Sequence, residues 1–146
     1  MNSSNQYELP EVIMTSGASP IDTSGSLPIY YGVNNNDQVV YLYLHFAETR
    51  TLKANDTREF DIIWPGNISV LTYRPKTFQT ETLFKALPNE CEGGPCVVEL
   101  VETTRSTLPP LLNAYEVYTI IEFPYPETYY DDGMFPNPMS IYFYID

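Results

Sequence analysis

At 146 residues the chain is one domain by length, large enough to bury about 70% of its unfolded surface without help from a metal. Thirteen Tyr and thirteen Pro against seven Lys plus Arg mark a β-rich, turn-rich chain, not a helical one. A net charge of −12 opposes nucleic acid and anionic membrane as partners, and no apolar run reaches the ~20 residues that span a bilayer.

Residues 1–8 are polar and read as a flexible lead-in. The first twenty residues lack the basic start and apolar core of a secretion signal, so the chain reads as a piece of a longer protein. Leu9–Met14 is expected to form a short strand with Val12 and Met14 inward, and Thr15–Leu27 a loop. Pro28–Val33 is the next strand, ending at the turn Asn34-Asn35-Asn36-Asp37.

Val39–Phe46 is the strongest strand. Val40, Leu42, Leu44 and Phe46 fall on one face, and Val39, Tyr41, Tyr43 and His45 on the other. Thr49–Thr57 is the only candidate for a helical turn and is too short and polar to pack as a helix. Arg58–Trp64 is the second central strand, with Phe60, Ile62 and Trp64 alternating against Glu59, Asp61 and Ile63. Beyond the Pro65-Gly66 turn, Ile68–Tyr73, Thr80–Phe84 and Cys96–Thr103 read as strands. Pro109-Pro110 then leads into Leu111–Phe123. Residues 124–146 form a Pro/Tyr-rich tail whose alternating Ser140–Ile145 is either an extra edge strand or unrelated to the fold. About eight strands with long crossing loops predict an all-β, jelly-roll-like antiparallel β-sandwich over residues 9–123.

Cys91 and Cys96 bracket CEGGPC, which could be a disulfide-clamped hairpin or two reduced thiols. Sequons at Asn2, Asn55 and Asn67 shift the balance toward a secreted setting and an oxidised pair. No metal or cofactor is expected, because two thiolates and the single His45 do not make a zinc set. A lone His within an apolar strand is structural before it is catalytic. Glu59 and Asp61 share a face and could be a glycosidase pair, but a solvated strand face beside Arg58 is the preferred reading. Asp131-Asp132-Gly133 lacks the acidic spacing of a calcium loop and reads as a turn. Sugar binding needs a flat aromatic face with amides or carboxylates nearby. Tyr30, Tyr31, Tyr73 and Phe78 lie at or near predicted strand ends, and Asn35 and Asp37 could supply polar contacts, so these six are the candidate ligand-binding residues.

Three motifs in register, YLYLHFAE (41–48), NDTREFDIIWPGN (55–67) and STLPPLLNAYEVYTIIEF (106–123), resemble the malectin-like domain of plant leucine-rich-repeat receptor kinases. The opening ELPEVIMTSGASP (8–20) resembles the start of the second of two tandem modules in such receptors. The resemblance implies a jelly-roll-like sandwich, secretion, glycosylation at positions such as Asn55 and a non-enzymatic ectodomain role. The first module, the repeats, the membrane helix and the kinase are not in this chain. The expected ligand is a cell-wall carbohydrate or glycan. The alternative is a peptide or co-receptor ectodomain bound through an acidic, Tyr-rich surface, and a glycoside hydrolase is a distant third.

Overall fold

The structure, a computed structural model, describes residues 9–21, 25–32, 38–65, 70–91, 95–121 and 142–145. Among these residues one helical turn, α1 (Glu11–Met14), precedes nine strands. These are β1 (Ser26–Tyr31), β2 (Gln38–Phe46), β3 (Phe60–Ile63), β4 (Val70–Tyr73), β5 (Glu81–Phe84), β6 (Asn89–Cys91), β7 (Cys96–Glu102), β8 (Ala114–Ile121) and β9 (Tyr142–Ile145).

The strands form two antiparallel sheets. One has the order β1-β7-β3-β4; the other has β5-β2-β8-β9, with β6 pairing β2 beside β5. Both strands expected at the centre are there: β2 lies between β5/β6 and β8, and β3 between β7 and β4. Period-two alternation explains the core. Val40, Leu42, Leu44 and Phe46 of β2 face Phe60, Ile62 and Trp64, along with Ile29, Tyr31, Val98 and Leu100, in one buried cluster. Phe46, Phe60 and the ring of Tyr73 pack with centroids 4.9–5.8 Å apart. The tail contributes β9, which pairs β8 from Tyr118↔Ile145 to Ile121↔Tyr142.

Two local expectations are corrected. Leu9–Met14 contains a helical turn where a strand was expected. Pro10 presets the dihedral at its start, and Thr15 N–H closes it on Glu11 O at 3.1 Å. Met14 is buried as expected, but Val12 is exposed because a helical turn does not alternate. Thr49–Thr57, the candidate for a helical turn, forms no helix; it holds a tight turn, with Asp56 N–H on Lys53 O (2.9 Å) and Lys53 N–H on the Asp56 carboxylate (3.1 Å). The segment CEGGPC is no hairpin: β6 pairs β2 in one sheet, whereas β7 pairs β1 and β3 in the other. It therefore crosses between the sheets.

Polar side chains close the end of the sandwich where the β2–β3, β4–β5 and β7–β8 connections meet. Buried Arg58 donates its Nε–H to the buried Glu48 carboxylate at 2.6 Å and an η-nitrogen to Pro109 O. Arg50 N–H donates to the other Glu48 oxygen at 2.9 Å. Asn113 ties the N-terminal segment in, accepting from Ala47 N–H (2.7 Å) and donating to Ser16 O (2.8 Å). Gly17 packs closely nearby: a Cβ there would lie 2.5 Å from Leu111 Cδ1, so that side chain would have to shift.

Candidate recognition site

Among the described residues, those expected to bind ligand do not converge. Tyr31 is buried in the core, and its hydroxyl has no hydrogen-bond partner among the described residues; burial pushes its pKa far up. Tyr73 is half-buried against Phe46 and Phe60 and donates its hydroxyl to Glu81 at 2.8 Å, so it too is a packing residue. Tyr30 is exposed, on edge strand β1 near the end where Tyr31 pairs Cys96. Tyr73 ends the opposite edge strand, β4, beside Phe60. The two tyrosines thus occupy diagonal corners of one sheet. Phe78 is exposed in the β4–β5 connection, with a positive φ of 57°. Asn35 and Asp37 lie outside the described residues, as do Asn2, Asn67 and Asp131-Asp132-Gly133.

A different constellation is assembled on the outer face of the five-stranded sheet. Residues opposite one another in an antiparallel ladder share a face. The register Tyr43↔Phe84, Tyr43↔Glu116, Tyr41↔Tyr118 and His45↔Thr82 therefore puts all of these side chains on one surface. Tyr43 and Phe84 stack with centroids 4.9 Å apart and planes 23° apart, and Tyr118 meets Tyr43 edge-on at 5.2 Å. Phe84 remains 47% exposed. Tyr118 donates its hydroxyl to Glu116. His45 Nδ1 lies 2.9 Å from Thr82 Oγ1, and its Nε2 lies 3.7 Å from Glu116. Burial pushes the His45 pKa below the ordinary value of 6.5, and this outweighs the upward pull of Glu116. The imidazole is then neutral at neutral pH, and the contact is not an ion pair.

The sequence pointed to this face only through the alternation of Tyr41, Tyr43 and His45 on β2. Phe84, Glu116 and Tyr118 come from strands whose register no single-strand pattern specifies. An aromatic set opposite the core set on the same strand was the available signal.

Glu59 corrects the expectation of a solvated carboxylate face. It is buried. One carboxylate oxygen accepts from the Thr103 hydroxyl (2.7 Å) and Arg105 Nε (2.9 Å), and the other from Arg74 Nε (2.6 Å). The Thr103 hydrogen bond, with help from both arginines, overcomes desolvation and lowers its pKa below the ordinary 4.5. Asp61 accepts from the Thr72 hydroxyl at 2.6 Å. Arg58 turns away to Glu48. Among the described residues no group of three His, Cys, Asp or Glu side chains could hold a metal ion.

The family profile of the malectin-like domain matches residues 1–120. The chain belongs to the malectin-like family. It is 46% identical over 132 residues to the putative leucine-rich repeat receptor-like serine/threonine-protein kinase At2g04300 of Arabidopsis thaliana, covering 90% of this chain and 15% of that protein. It is 47% identical, with the same coverage, to the receptor-like protein kinase At3g21340 of the same plant. The probable leucine-rich-repeat receptor-like kinase At1g51810 is 41% identical over 133 residues. This malectin-like chain thus spans about 15% of the length of these relatives. No solved structure matches it significantly. No helix among the described residues is long and apolar enough to cross a membrane.

Proposed function

We propose that this malectin-like domain is a non-catalytic recognition module of a receptor ectodomain, and that it binds a glycan on the outer face of its five-stranded sheet. The observation that carries this reading is the exposed Phe84 ring stacked on Tyr43, bordered by the polar groups of Glu116 and Thr82. A solvent-facing aromatic plane accepts the C–H face of a pyranose, and adjacent carboxylate and hydroxyl oxygens accept its hydroxyl protons. A non-catalytic role is supported by Glu59: both its oxygens are occupied by donors, and its pKa is lowered, the reverse of what a general acid needs.

The setting is read as extracellular, because the relatives are named as receptor kinases. Asn55 lies exposed in a turn, where a glycan is sterically accessible. Cys91 and Cys96 are the chain's two cysteines, and no free cysteine is found among the described residues. Their pairing would staple one sheet to the other across the β6–β7 crossing.

Calorimetric titration against a panel of neutral wall oligosaccharides tests the glycan reading. Binding should be nearly insensitive to salt, and Phe84→Ala should weaken it about five- to tenfold, while Tyr30→Ala leaves it unchanged. Absence of binding across the panel, or equal loss in the two variants, would count against this site.

A further inference from the structure

The basic residues of this acidic chain are concentrated. Arg50, Lys53 and Arg58 lie in the β2–β3 connection, Arg74 and Lys76 in β4–β5, and Arg105 in β7–β8; Lys85 is the only other. The bridges Arg58↔Leu108 and Glu48↔Thr77 and the contacts of Glu59 bring these three connections together at one end of the sandwich. Their acids are Glu48, Asp56 and Glu59; with Glu81 and Glu102, which flank them at the same end, this end carries +1 and the remainder of the chain −13, and Lys76 is paired with Glu81 at 2.7 Å.

All three acids are engaged internally: Glu48 by Arg58, Asp56 by Lys53 N–H, and Glu59 by Thr103, Arg74 and Arg105. The side chains of Arg74 and Arg105 are 58% and 69% exposed. Each reaches Glu59 through Nε, and their terminal guanidinium nitrogens have no partner among the described residues. One buried carboxylate therefore holds two guanidinium forks side by side at the surface. At the same end of the sandwich, in the β4–β5 connection, Phe78 is exposed at a left-handed φ, with its N–H bonded to Glu48 O at 2.9 Å.

We propose that this cationic pole binds a short carboxylate-bearing segment of a protein partner, with Arg74 and Arg105 as paired receptors and Phe78 as the apolar anchor. Forked guanidinium donors match carboxylates, and pinning each through Nε reduces the entropy lost on binding. Arginine with an exposed aromatic is the composition of a protein–protein hot spot. A long polyanion would leave the pole and run along a body carrying −13, where it is repelled; a short acidic segment meets the Arg74–Arg105 pair alone.

Fluorescence anisotropy with three labelled probes tests this: an acetylated and amidated octapeptide with alternating Ser and Glu, its Gln counterpart, and an oligouronate. The Glu peptide should bind about tenfold more tightly than the Gln peptide and weaken between 50 and 300 mM salt. Arg74→Gln and Arg105→Gln should each weaken it about three- to fivefold, and Phe84→Ala should leave it unchanged. Since releasing Glu59 loosens the fold locally, the Arg74→Lys, Arg105→Lys double variant is measured alongside; it keeps both charges, loses the forks, and should weaken binding about threefold with circular dichroism unaltered. Equal binding of the two peptides, indifference of a folded double Arg→Gln variant, or tighter binding of the oligouronate overturns the proposal.

Discussion

The Arg58–Glu48 pair is the most exacting test of how the loop end is held. Nε and carboxylate lie 2.6 Å apart, with side chains 4% and 1% exposed, so neither charge can turn to water once its partner is lost. Breaking a buried pair costs about 3–5 kcal/mol, against a total stability of ~5–15 kcal/mol. Glu48→Gln should cost more than Arg58→Met, since a stranded carboxylate can take up a proton and a stranded guanidinium cannot. With a urea m-value of ~2 kcal/mol/M, a loss of ~4 kcal/mol lowers the midpoint by about 2 M. The buried Trp64, the chain's single tryptophan, reports the transition by fluorescence. The double variant should recover much of the loss, giving a coupling above ~2 kcal/mol. Two single variants each costing under ~1 kcal/mol and adding without coupling would refute the reasoning.

The remaining expectations concern pH, the cysteines and Tyr31. Burial holds the His45 pKa below 6.5, so the unfolded chain takes the proton first; the stability His45 contributes is complete above pH 6.5 and is lost as pH falls through the folded pKa. Glu59 has the same sign in a lower window, full above 4.5 and lost below it. Urea midpoints against pH should therefore fall in two limbs, and His45→Asn should flatten the upper one alone. Dithiothreitol should destabilise the oxidised protein by about 2 kcal/mol, the loop-closure value for so short a ring, lowering the thermal midpoint by roughly 4–8 °C; an unchanged midpoint on verified reduction argues against the staple. Tyr31→Phe should be neutral or stabilising by up to ~1 kcal/mol, because it removes a buried hydroxyl with no partner among the described residues, while Tyr31→Ala should cost about 3–5 kcal/mol.

Periodicity carried much of the fold. Alternation along Val39–Phe46 and Arg58–Trp64 identified both inner faces, because each strand buries one side in a shared core. The same logic misassigned Leu9–Met14, where six residues span too few turns to separate a period of two from one of 3.6. Position near a strand end marks a tyrosine as a ligand group, but Tyr31 is buried in the core cluster and Tyr73 packs on Phe46 and Phe60. Whether an aromatic at a strand end faces the core or the rim depends on where the opposite sheet stops, which no local pattern encodes. Glu59 was legible as a carboxylate but not as buried, since Arg74, Thr103 and Arg105 reach it from connections 15 to 46 residues away.

Amide chemical-shift mapping of the oxidised, isotopically labelled domain is the most direct test of glycan recognition on the aromatic sheet face. The probe is the strongest neutral oligosaccharide from the titration panel. Perturbations should centre on Tyr43, Thr82, Phe84 and Glu116 and disappear in Phe84→Ala. Shifts confined to the Tyr30 corner or to the Arg74–Arg105 pole, or none at saturating sugar, would contradict the account.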